Sequence, residues 1–316
     1  MSIPADHVPI ATVERAGLVT VQDLGRFGFT DVGVPTSGAW HRERHHLAVA
    51  LVRDDMQDSN EPSPSLEILS TELSLAFHEP QVIAIVGSAF VRIDGHNAAT
   101  DVAFLVHADT QLDIEHRGPG PAYVALSGWQ PALTLGSAAT DSFSRLGGPT
   151  ADGSPIAPGQ TLLGAPAIGT VTERIGSFLR AIQPAPSSLS MIAVDHDLAD
   201  RFCGESWRVD ASARSGIRLS GPRIHAPRPI PSMPVVPGAI QLAPDGTAIV
   251  LGPDGGLTGG YPIVGVVASA HLDRLADYSI GDELRFARTD PVSACEQFSA
   301  REQRLSWMII RPAALN

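Results

Sequence analysis

Glycine and proline punctuate this sequence from one end to the other, and they limit how long any single helix can run. The 316 residues include 30 glycines and 26 prolines, spread evenly, with short apolar stretches between them. This pattern is typical of a β-rich protein. At about 150 residues per domain, the length predicts two domains, each large enough for its own core.

Several segments carry clear strand patterns. Leu73, Leu75 and Phe77 alternate with smaller residues, as in a half-buried strand. Residues 91–96 run from a β-branched stretch into an Asp-Gly turn, and residues 239–251 place strand formers on both sides of another Asp-Gly turn. Glycine supplies the positive φ that such turns need, so both segments are predicted as hairpins.

Helical patterns are fewer. Residues 38–52 predict a helix, because Thr36 or Ser37 can cap it and apolar side chains recur on one face. Residues 171–182 are compatible with a helix, and residues 272–276 predict a short one.

The Pro/Ser-rich residues 183–188 predict a linker, followed by a strand over residues 189–194. Residues 158–162 and 280–284 each place a glycine turn before a closing strand, which is weakly indicative of a duplicated barrel. We therefore predict a first barrel domain over residues 1–185, a second over 186–290, and a C-terminal tail over 291–316.

The charge composition excludes several functions. All 22 basic residues are arginine, against 34 acidic residues, so the net charge is −12. Without lysine, this chain cannot carry a lysine Schiff base, a P-loop phosphate lysine or biotinyl-lysine. The acidic balance argues against nucleic acid or an anionic membrane as the main partner.

Targeting and redox features are those of a cytoplasmic protein. No apolar run approaches the ~20 residues of a membrane span, and the N-terminal residues lack the apolar block of a secretory signal. Cys203 and Cys295 lie far apart in sequence, without a CxxC pair. We expect them to be reduced, buried thiols rather than a disulfide or metal site.

The first region dense in polar residues and glycine is residues 17–40, where Gln22, Asp23 and Arg26 precede the predicted helix. A glycine-rich loop that leads into a helix N-terminus suits a phosphate or carboxylate, and Arg26 offers a bidentate clamp. The alternative is structural: an Asp–Arg pair under a tight turn and an ordinary helix cap.

The second dense region is residues 236–262, whose last nine residues crowd four glycines around Asp254, Thr258 and Tyr261. Backbone with so little side chain can approach a ligand closely. The alternative is a long loop at the rim of a barrel.

Three histidines, His41, His45 and His46, lie in the predicted helix. The i, i+4 spacing of His41 and His45 can hold a metal, but no further ligand is evident by spacing, so no metal site is predicted. We interpret these histidines as a solvated helix face.

Four segments occur here in the same order as in one protein family, and the chain resembles that family. They are residues 17–40, 136–140, 212–222 and 236–262. The family contains the C subunit of bacterial 5-oxoprolinase, often labelled allophanate hydrolase subunit 2, and the carboxyltransferase domain of urea carboxylase. The resemblance covers residues 17 to about 288. It implies a mainly β fold of two cyclophilin-like barrels with a few short helices.

The resemblance also implies an activity and partners. Members of the 5-oxoprolinase type act with a homologue of subunit 1, also called the B subunit, and with a third, lactam-hydrolase subunit. They couple ATP cleavage to opening of the 5-oxoproline lactam. ATP with Mg²⁺ is then a cofactor of the complex, the substrate is a small amide, and this chain carries no biotin. In the urea carboxylase branch the scaffold passes a carboxyl group from carboxybiotin to urea.

Carried over to this sequence, the resemblance implies a site in the cleft between the barrels. The catalytic residues would be Asp23, Arg26 and Arg214, with Asp23 as a base or as the group that orients Arg26. The residues that bind substrate or phosphate would be Gln22, Ser37, Gly38, Gly238, Gln241, Thr258, Gly259, Gly260 and Tyr261.

Several polar residues of the family pattern are replaced. Ser-Gly-Ala-Met-Asp reads Ser-Gly-Ala-Trp-His at residues 37–41, and Ser-Asp-Arg-Met-Gly reads Ser-Ala-Arg-Ser-Gly at residues 212–216. The family's final lysine is isoleucine at residue 263. These replacements leave open a member with another substrate, or a non-catalytic binding partner of the subunit 1 protein. A carboxyltransferase subunit is a further alternative, which the loss of the family's lysine disfavours.

Overall fold

The computed structural model describes residues 7–52, 63–166, 186–225 and 230–310, with side chains up to residue 305. Contacts group these residues into two compact units. Unit 1 comprises the described residues within Met1–Arg26, Ser37–Ile182 and Leu305–Asn316, and unit 2 those within Phe27–Thr36 and Gln183–Arg304. The predicted domains follow chain order, whereas unit 2 also takes in the short segment Phe27–Thr36.

Unit 1 is built on a nine-stranded antiparallel sheet. Its strands are β1 (Val8–Gln22), β2 (Ser65–Phe77), β3 (Gln81–Val86), β4 (Ala89–Ile93), β5 (His96–Ala98), β6 (Ala103–Val106), β7 (Gln111–His116), β8 (Ala122–Leu126) and β9 (Thr161–Gly164). The order is β5-β4-β7-β2-β8-β3-β6, and β1 pairs with both β2 and β9. Strand β1 ends at Gln22, so the first polar region begins where this strand leaves the sheet.

The predicted strand patterns of unit 1 are confirmed. Leu73, Leu75 and Phe77 in β2 are buried in the core. Ser74, between them, is buried as well, because its hydroxyl bonds to the Asp113 carboxylate at 2.8 Å. The predicted hairpin forms between β4 and β5, with Gly95 at a φ of 77° in its turn.

Helix α1 (Arg42–Val52) begins four residues later than the predicted helix. Its apolar side chains, including Leu47 and Leu51, pack with Tyr123 of β8 and neighbouring residues of β3. The interpretation of its histidines as a solvated face is wrong: His41 and His45 are buried and only His46 is half-buried. Because nearly every residue of α1 is buried, its polar residues must be bonded inside the unit.

Unit 2 has an eight-stranded sheet and a separate two-stranded ribbon. The strands are β10 (Leu189–Ala193), β11 (Trp207–Ala213), β12 (Gly216–Ser220), β13 (Met233–Pro234), β14 (Ala239–Leu242), β15 (Ala248–Leu251), β16 (Thr258–Gly259), β17 (Ile263–Val267), β18 (Glu283–Leu284) and β19 (Phe286–Thr289). The order is β18-β11-β12-β15-β14-β17-β10-β19, with β13 and β16 forming the ribbon. Only β10 and β19 pair in parallel within this sheet's described strands.

The predicted hairpin over residues 239–251 is confirmed as β14 and β15, joined through Gly246 at a φ of 87°. The short helix predicted at 272–276 is part of a longer 3-10 segment, Ser269–Asp277. The glycine turns before β9 and β18 are also present, at Gly159 and Gly281. The helix-compatible residues 171–182, and residues 183–185 of the predicted linker, lie outside the described residues.

Two further helices are described, one within unit 2 and one whose residues from Leu305 onward group with unit 1. Helix α2 (His196–Cys203) is capped by Asp195, whose carboxylate accepts the backbone N–H of Leu198 at 2.9 Å. Helix α3 (Pro291–Ile310) lies within the predicted C-terminal tail, and Asp290 accepts two backbone N–H groups of its first turn. Its 20 residues make it longer than the short helices that the resemblance implies.

The fold is mainly β, with one half-barrel sheet and one nearly closed barrel sheet, as expected. Both cysteines are free, as predicted, but their predicted burial is wrong: Cys203 is half-buried and Cys295 is exposed. In the part of the chain that the structure describes, no helix has the length and apolar character needed to span a membrane.

Candidate functional site

Asp23 fastens the loop that follows β1. Its Oδ1 atom accepts hydrogen bonds from the Gly25 backbone N–H and the Ser137 hydroxyl, both at 2.7 Å. Its Oδ2 atom accepts the Ala138 backbone N–H, also at 2.7 Å. Within the described residues, this carboxylate binds loop groups rather than Arg26. The geometry therefore makes Asp23 a tie between the segments around residues 25 and 138.

Arg26 is buried beside the same loop. Its Nη2 atom donates to the Ala139 carbonyl oxygen at 2.5 Å, and its Nε atom donates to the Thr134 carbonyl oxygen at 3.3 Å. A side chain at Gly147 would collide with this arrangement, because its Cβ would lie 2.5 Å from Arg26 Nη2. The guanidinium thus supports loop backbone inside unit 1.

Gln22 and Ser37 meet at one carbonyl group. Both side chains donate to the Thr140 carbonyl oxygen, Gln22 Nε2 at 3.3 Å and Ser37 Oγ at 3.2 Å. The Gln22 Oε1 atom is buried without a hydrogen-bond partner among the residues described. A buried acceptor left over in this way is usually filled by water or a ligand.

Gly38 is required by close backbone contact. Its φ is 86°, and a Cβ there would lie 2.7–2.8 Å from backbone atoms of Leu24 and Gly25. The Ala39 backbone N–H then donates to the Asp23 carbonyl oxygen at 2.8 Å. The structure therefore brings together the five predicted residues of the first region: Gln22, Asp23, Arg26, Ser37 and Gly38.

A buried carboxylate behind this cluster was not predicted. Glu67 Oε2 accepts the Tyr123 hydroxyl at 2.5 Å and the Trp40 backbone N–H at 2.9 Å. The Tyr123 hydroxyl oxygen in turn accepts the His41 backbone N–H at 2.8 Å. Together Glu67 and Tyr123 hold the chain that follows Ser37. The available signal was the single Glu between Leu66 and Ile68 in an apolar strand.

His45 is a neutral histidine under this cluster. Its Nδ1 atom lies 2.8 Å from the Ser65 hydroxyl. Burial, and then the charges of His46 and Arg42, lower the His45 pKa from 6.5 to about 3. The ring is therefore uncharged at neutral pH. In the described part of the chain, no group of three or more His, Cys, Asp or Glu residues could hold a metal ion.

Arg214 and Asp254 form the main charged feature of the second region. Arg214 Nε donates to Asp254 Oδ2 at 2.6 Å, and Nη2 donates to Oδ1 at 2.8 Å. The Asp254 backbone N–H also donates to the Arg214 carbonyl oxygen at 3.1 Å. This two-bond geometry is the strong form of an Arg–carboxylate pair, and it fixes the start of the glycine-rich segment 254–262 to the turn between β11 and β12.

Gln241 lies directly behind that segment. A Cβ built at Gly259 would lie 2.0 Å from Gln241 Nε2, so a side chain there would have to displace the Gln241 amide. Gln241 is 6% exposed, and its Nε2 atom has no hydrogen-bond partner in the parts of unit 2 that are described. The side-chain N–H groups of Gln241 therefore lie against Gly259 of the β13–β16 ribbon without a hydrogen-bond acceptor.

The other predicted residues of this region lie in two segments, one just before β14 and one at β16 and the residues after it. Thr258 and Gly259 form β16 and pair with β13. The Gly260 carbonyl oxygen accepts the Ile230 backbone N–H at 3.0 Å, and Tyr261 is exposed. Gly238 lies at the start of β14, where its φ is 85° and a Cβ would lie 2.7 Å from a Leu272 methyl carbon.

A cavity of about 510 Å³ opens next to this segment in unit 2. Its lining includes the apolar residues Ile230, Met233 and Pro262 and the polar run Asp195, His196 and Asp197. Two carboxylates disfavour an anionic ligand, so this cavity does not match the predicted anion site. The predicted residues thus form two clusters, one in each unit, and their meeting in a shared cleft stays a prediction.

Comparison with known proteins places this arrangement in a family. Residues 32–288 match the family model "Carboxyltransferase domain, subdomain A and B". The chain is 28% identical over 313 residues to the 5-oxoprolinase C subunit of Escherichia coli (strain K12), covering 93% of this chain and 97% of that protein. It is 26% identical to the urea amidolyase of Saccharomyces cerevisiae, covering 84% of this chain but only 16% of that protein.

Solved structures agree on the fold. The protein TTHA0988 superposes with a TM-score of 0.77 at 28% identity, over 89% of this chain, which spans 56% of that protein's chain. The urea carboxylase of Kluyveromyces lactis superposes with a TM-score of 0.82 at 21% identity, over 98% of this chain and 30% of the other. This chain therefore belongs to the carboxyltransferase domain family, subdomains A and B.

Proposed function

We propose that this chain is one subunit of a multi-subunit, ATP-dependent amidohydrolase of the 5-oxoprolinase type. The reaction would convert 5-oxoproline, ATP and water to glutamate, ADP and phosphate. The observation that carries the proposal is the end-to-end match with the Escherichia coli C subunit, which covers 93% of this chain and 97% of that one. The match to urea amidolyase, by contrast, takes in only 16% of that protein.

The chemistry of a lactam explains what such a site must supply. An unstrained amide resists hydrolysis because its oxygen poorly accommodates developing charge, and phosphorylating that oxygen creates a leaving group. Donors placed at the oxygen then stabilise the transition state. The unsatisfied Gln241 N–H groups behind Gly259 are donors of this kind, held ready by burial.

The contacts divide the remaining predicted residues by role. Asp23 and Arg26 bind loop backbone, so we assign them to positioning Gln22 and Ser37 rather than to proton transfer. Arg214 positions the segment 254–262 through its pair with Asp254. Gln241, Thr258, Gly259 and Gly260 are the residues we propose to lie against substrate.

ATP with Mg²⁺ belongs to the complex in this proposal. The described residues of this chain provide no cluster of three or more metal-ligating side chains. Mg²⁺ bound with a nucleotide usually takes only one or two protein carboxylates, so we propose ATP with Mg²⁺ at the level of the complex and name no residue of this chain for it. The subunit 1 homologue and the third, lactam-hydrolase subunit are the proposed partners.

A carboxyltransferase subunit is the second candidate. The family model carries that name, and the urea amidolyase relative covers 84% of this chain. A biotin carrier on another chain would then supply the carboxyl group, and urea would accept it.

A third candidate is a non-catalytic partner of the subunit 1 protein. The internal hydrogen bonds that occupy Asp23 favour it.

An omission experiment tests the proposal. The three chains are purified separately and mixed, and glutamate formation from 5-oxoproline is measured with and without this chain. We expect glutamate only when all three chains and ATP are present. Equal glutamate formation without this chain would exclude a catalytic contribution to this reaction. A non-catalytic partner of the subunit 1 protein would then be the better candidate.

A further inference from the structure

Phe143 stands out of unit 1 as an isolated aromatic side chain. It is 90% exposed, more than any of the other large apolar side chains exposed on the described surface. It lies in the turn between Asp141 and Leu146, next to the exposed Arg145. Aromatic residues and arginine are enriched at the centres of protein interfaces.

The turn that carries Phe143 is held rigidly. Asp141 is fully buried, and its Oδ1 atom accepts the backbone N–H groups of Phe143 at 3.1 Å and Ser144 at 3.0 Å. The Asp141 and Leu146 backbones exchange two hydrogen bonds at 2.8 and 3.0 Å. The Ser142 hydroxyl donates to the Gly153 carbonyl oxygen at 2.9 Å. Because these hydrogen bonds lie within unit 1 and need no partner, we expect binding to lose little conformational entropy in the turn.

The base of this turn is the candidate site of unit 1. Thr140, whose carbonyl oxygen accepts Gln22 and Ser37, directly precedes Asp141. The Thr140 backbone N–H also donates to the Val21 carbonyl oxygen at 2.8 Å, which ties the turn to the end of β1. A protein that binds Phe143 therefore contacts this chain three residues after Thr140, the residue whose carbonyl oxygen accepts Gln22 and Ser37.

We propose that Phe143 is an anchor that inserts into an apolar pocket of a companion subunit, with acidic side chains of that pocket's rim facing Arg145. The proposal rests on the proposed function, which makes the companion the subunit 1 homologue. Arg145 is an exposed cation on a chain whose net charge is −12, so acidic side chains on the rim of the partner's pocket would complement the charge at this tip. The Escherichia coli relative, which matches nearly the whole chain, is named as one subunit, and this name supports the existence of a companion subunit.

The test measures binding of this chain to the purified subunit 1 homologue by surface plasmon resonance, which gives both the affinity and the association rate. Phe143→Ser should weaken binding by about 30-fold or more, the loss typical of a central interface residue. The affinity of Phe143→Leu should lie between those of wild type and Phe143→Ser. Arg145→Glu should lower the association rate, and this decrease should be smaller at high salt. The control is Ile280→Ser, which removes another exposed apolar side chain (71% exposed) from unit 2 and should change binding by no more than about twofold.

Three outcomes would overturn the anchor. Phe143→Ser and Ile280→Ser could bind equally well; Arg145→Glu could associate at the wild-type rate; or light scattering could show a self-dimer that Phe143→Ser dissociates, making a second copy the occupant. An unchanged unfolding temperature of Phe143→Ser would show that this substitution leaves the fold intact. If Phe143→Ser is destabilised, the affinity of Phe143→Leu is compared with that of wild type instead. Failure of glutamate formation by a complex that still binds through Phe143 would count against the proposed function alone.

Discussion

The side-chain amide of Gln241 fills the space that a side chain at Gly259 would need, with Nε2 only 2.0 Å from where that Cβ would lie. The glycine at 259 is therefore explained by a particular neighbour rather than by turn geometry. This relationship links a buried, unsatisfied donor to the exposed ribbon segment that the sequence singles out as a binding loop.

Gly259→Ala should displace the Gln241 amide and lower turnover of the reconstituted complex at least tenfold. The loss of unfolding free energy should stay near 1 kcal/mol, because the displaced atoms belong to the end of a side chain. Gly256→Ala is the matched control, since a Cβ there would lie 3.6 Å from its nearest neighbour, the Thr258 carbonyl oxygen.

A double variant separates displacement from simple instability. Gln241→Ala in the Gly259→Ala background removes the collision, so it should restore thermal stability without restoring turnover. Full activity in that double variant would show that the Gln241 amide has no part in the reaction.

Asp23→Asn should destabilise unit 1 by about 1–3 kcal/mol, measured by urea unfolding. The new amide group would face the Ala138 N–H that Oδ2 now accepts, or else leave one of the loop donors unpaired. Asp31→Asn, at an exposed position, is the control and should stay within about 0.5 kcal/mol of wild type. Wild-type stability with lost turnover would instead make Asp23 a catalytic base.

The Arg214–Asp254 pair should show a coupling energy of about 1–2 kcal/mol in a double-mutant cycle on unfolding free energy. Arg214→Lys should lose most of it, because an ammonium cannot make both bonds to the carboxylate. The exposed Arg208–Asp210 pair, at 3.3 Å on β11, provides a comparison and should couple weakly. Equal coupling in the two pairs would contradict a structural role for Arg214.

His45 should make the protein less stable as the pH falls. The folded state keeps the ring neutral down to a pKa of about 3, whereas the unfolded chain takes up the proton near 6.5. Between these values the unfolded state holds one more proton, so this residue lowers the unfolding free energy by about 1.4 kcal/mol per pH unit of acidification.

His45→Gln should flatten that dependence between pH 6 and 4, as measured by urea unfolding at several pH values. His107→Gln, at an exposed position, should leave most of the slope in place. An unchanged slope in His45→Gln would show that the buried ring takes up a proton in the folded state.

Local backbone chemistry explains which parts of the fold were predictable. The Asp-Gly turns at residues 94–95 and 245–246 require positive φ at glycine, and strand formers flank both, so the hairpins follow from nearest neighbours alone. The start of α1 was predicted too early, because the chain before Arg42 is held by Glu67 and Tyr123 rather than by helical bonds. Both partners are distant in sequence.

The same reason limits prediction of the site. The glycine pattern and the family resemblance identify the segments around Gln22 and Gly259, but hydrogen bonds decide what the side chains there do. The sequence predicts Asp23 as a base or as the group that orients Arg26, but it does not show that Ser137 and Ala138 donate hydrogen bonds to the Asp23 oxygens. The histidines of α1 read as a solvated face until the sheet is seen to cover them.

ADP release by the complex of this chain, the subunit 1 homologue and the lactam-hydrolase subunit tests the central proposal most directly, with 5-oxoproline compared against urea plus bicarbonate. We predict ADP release that depends on 5-oxoproline, on this chain, and on glycine at position 259. A well-folded complex that releases ADP at the same rate with and without 5-oxoproline would contradict it.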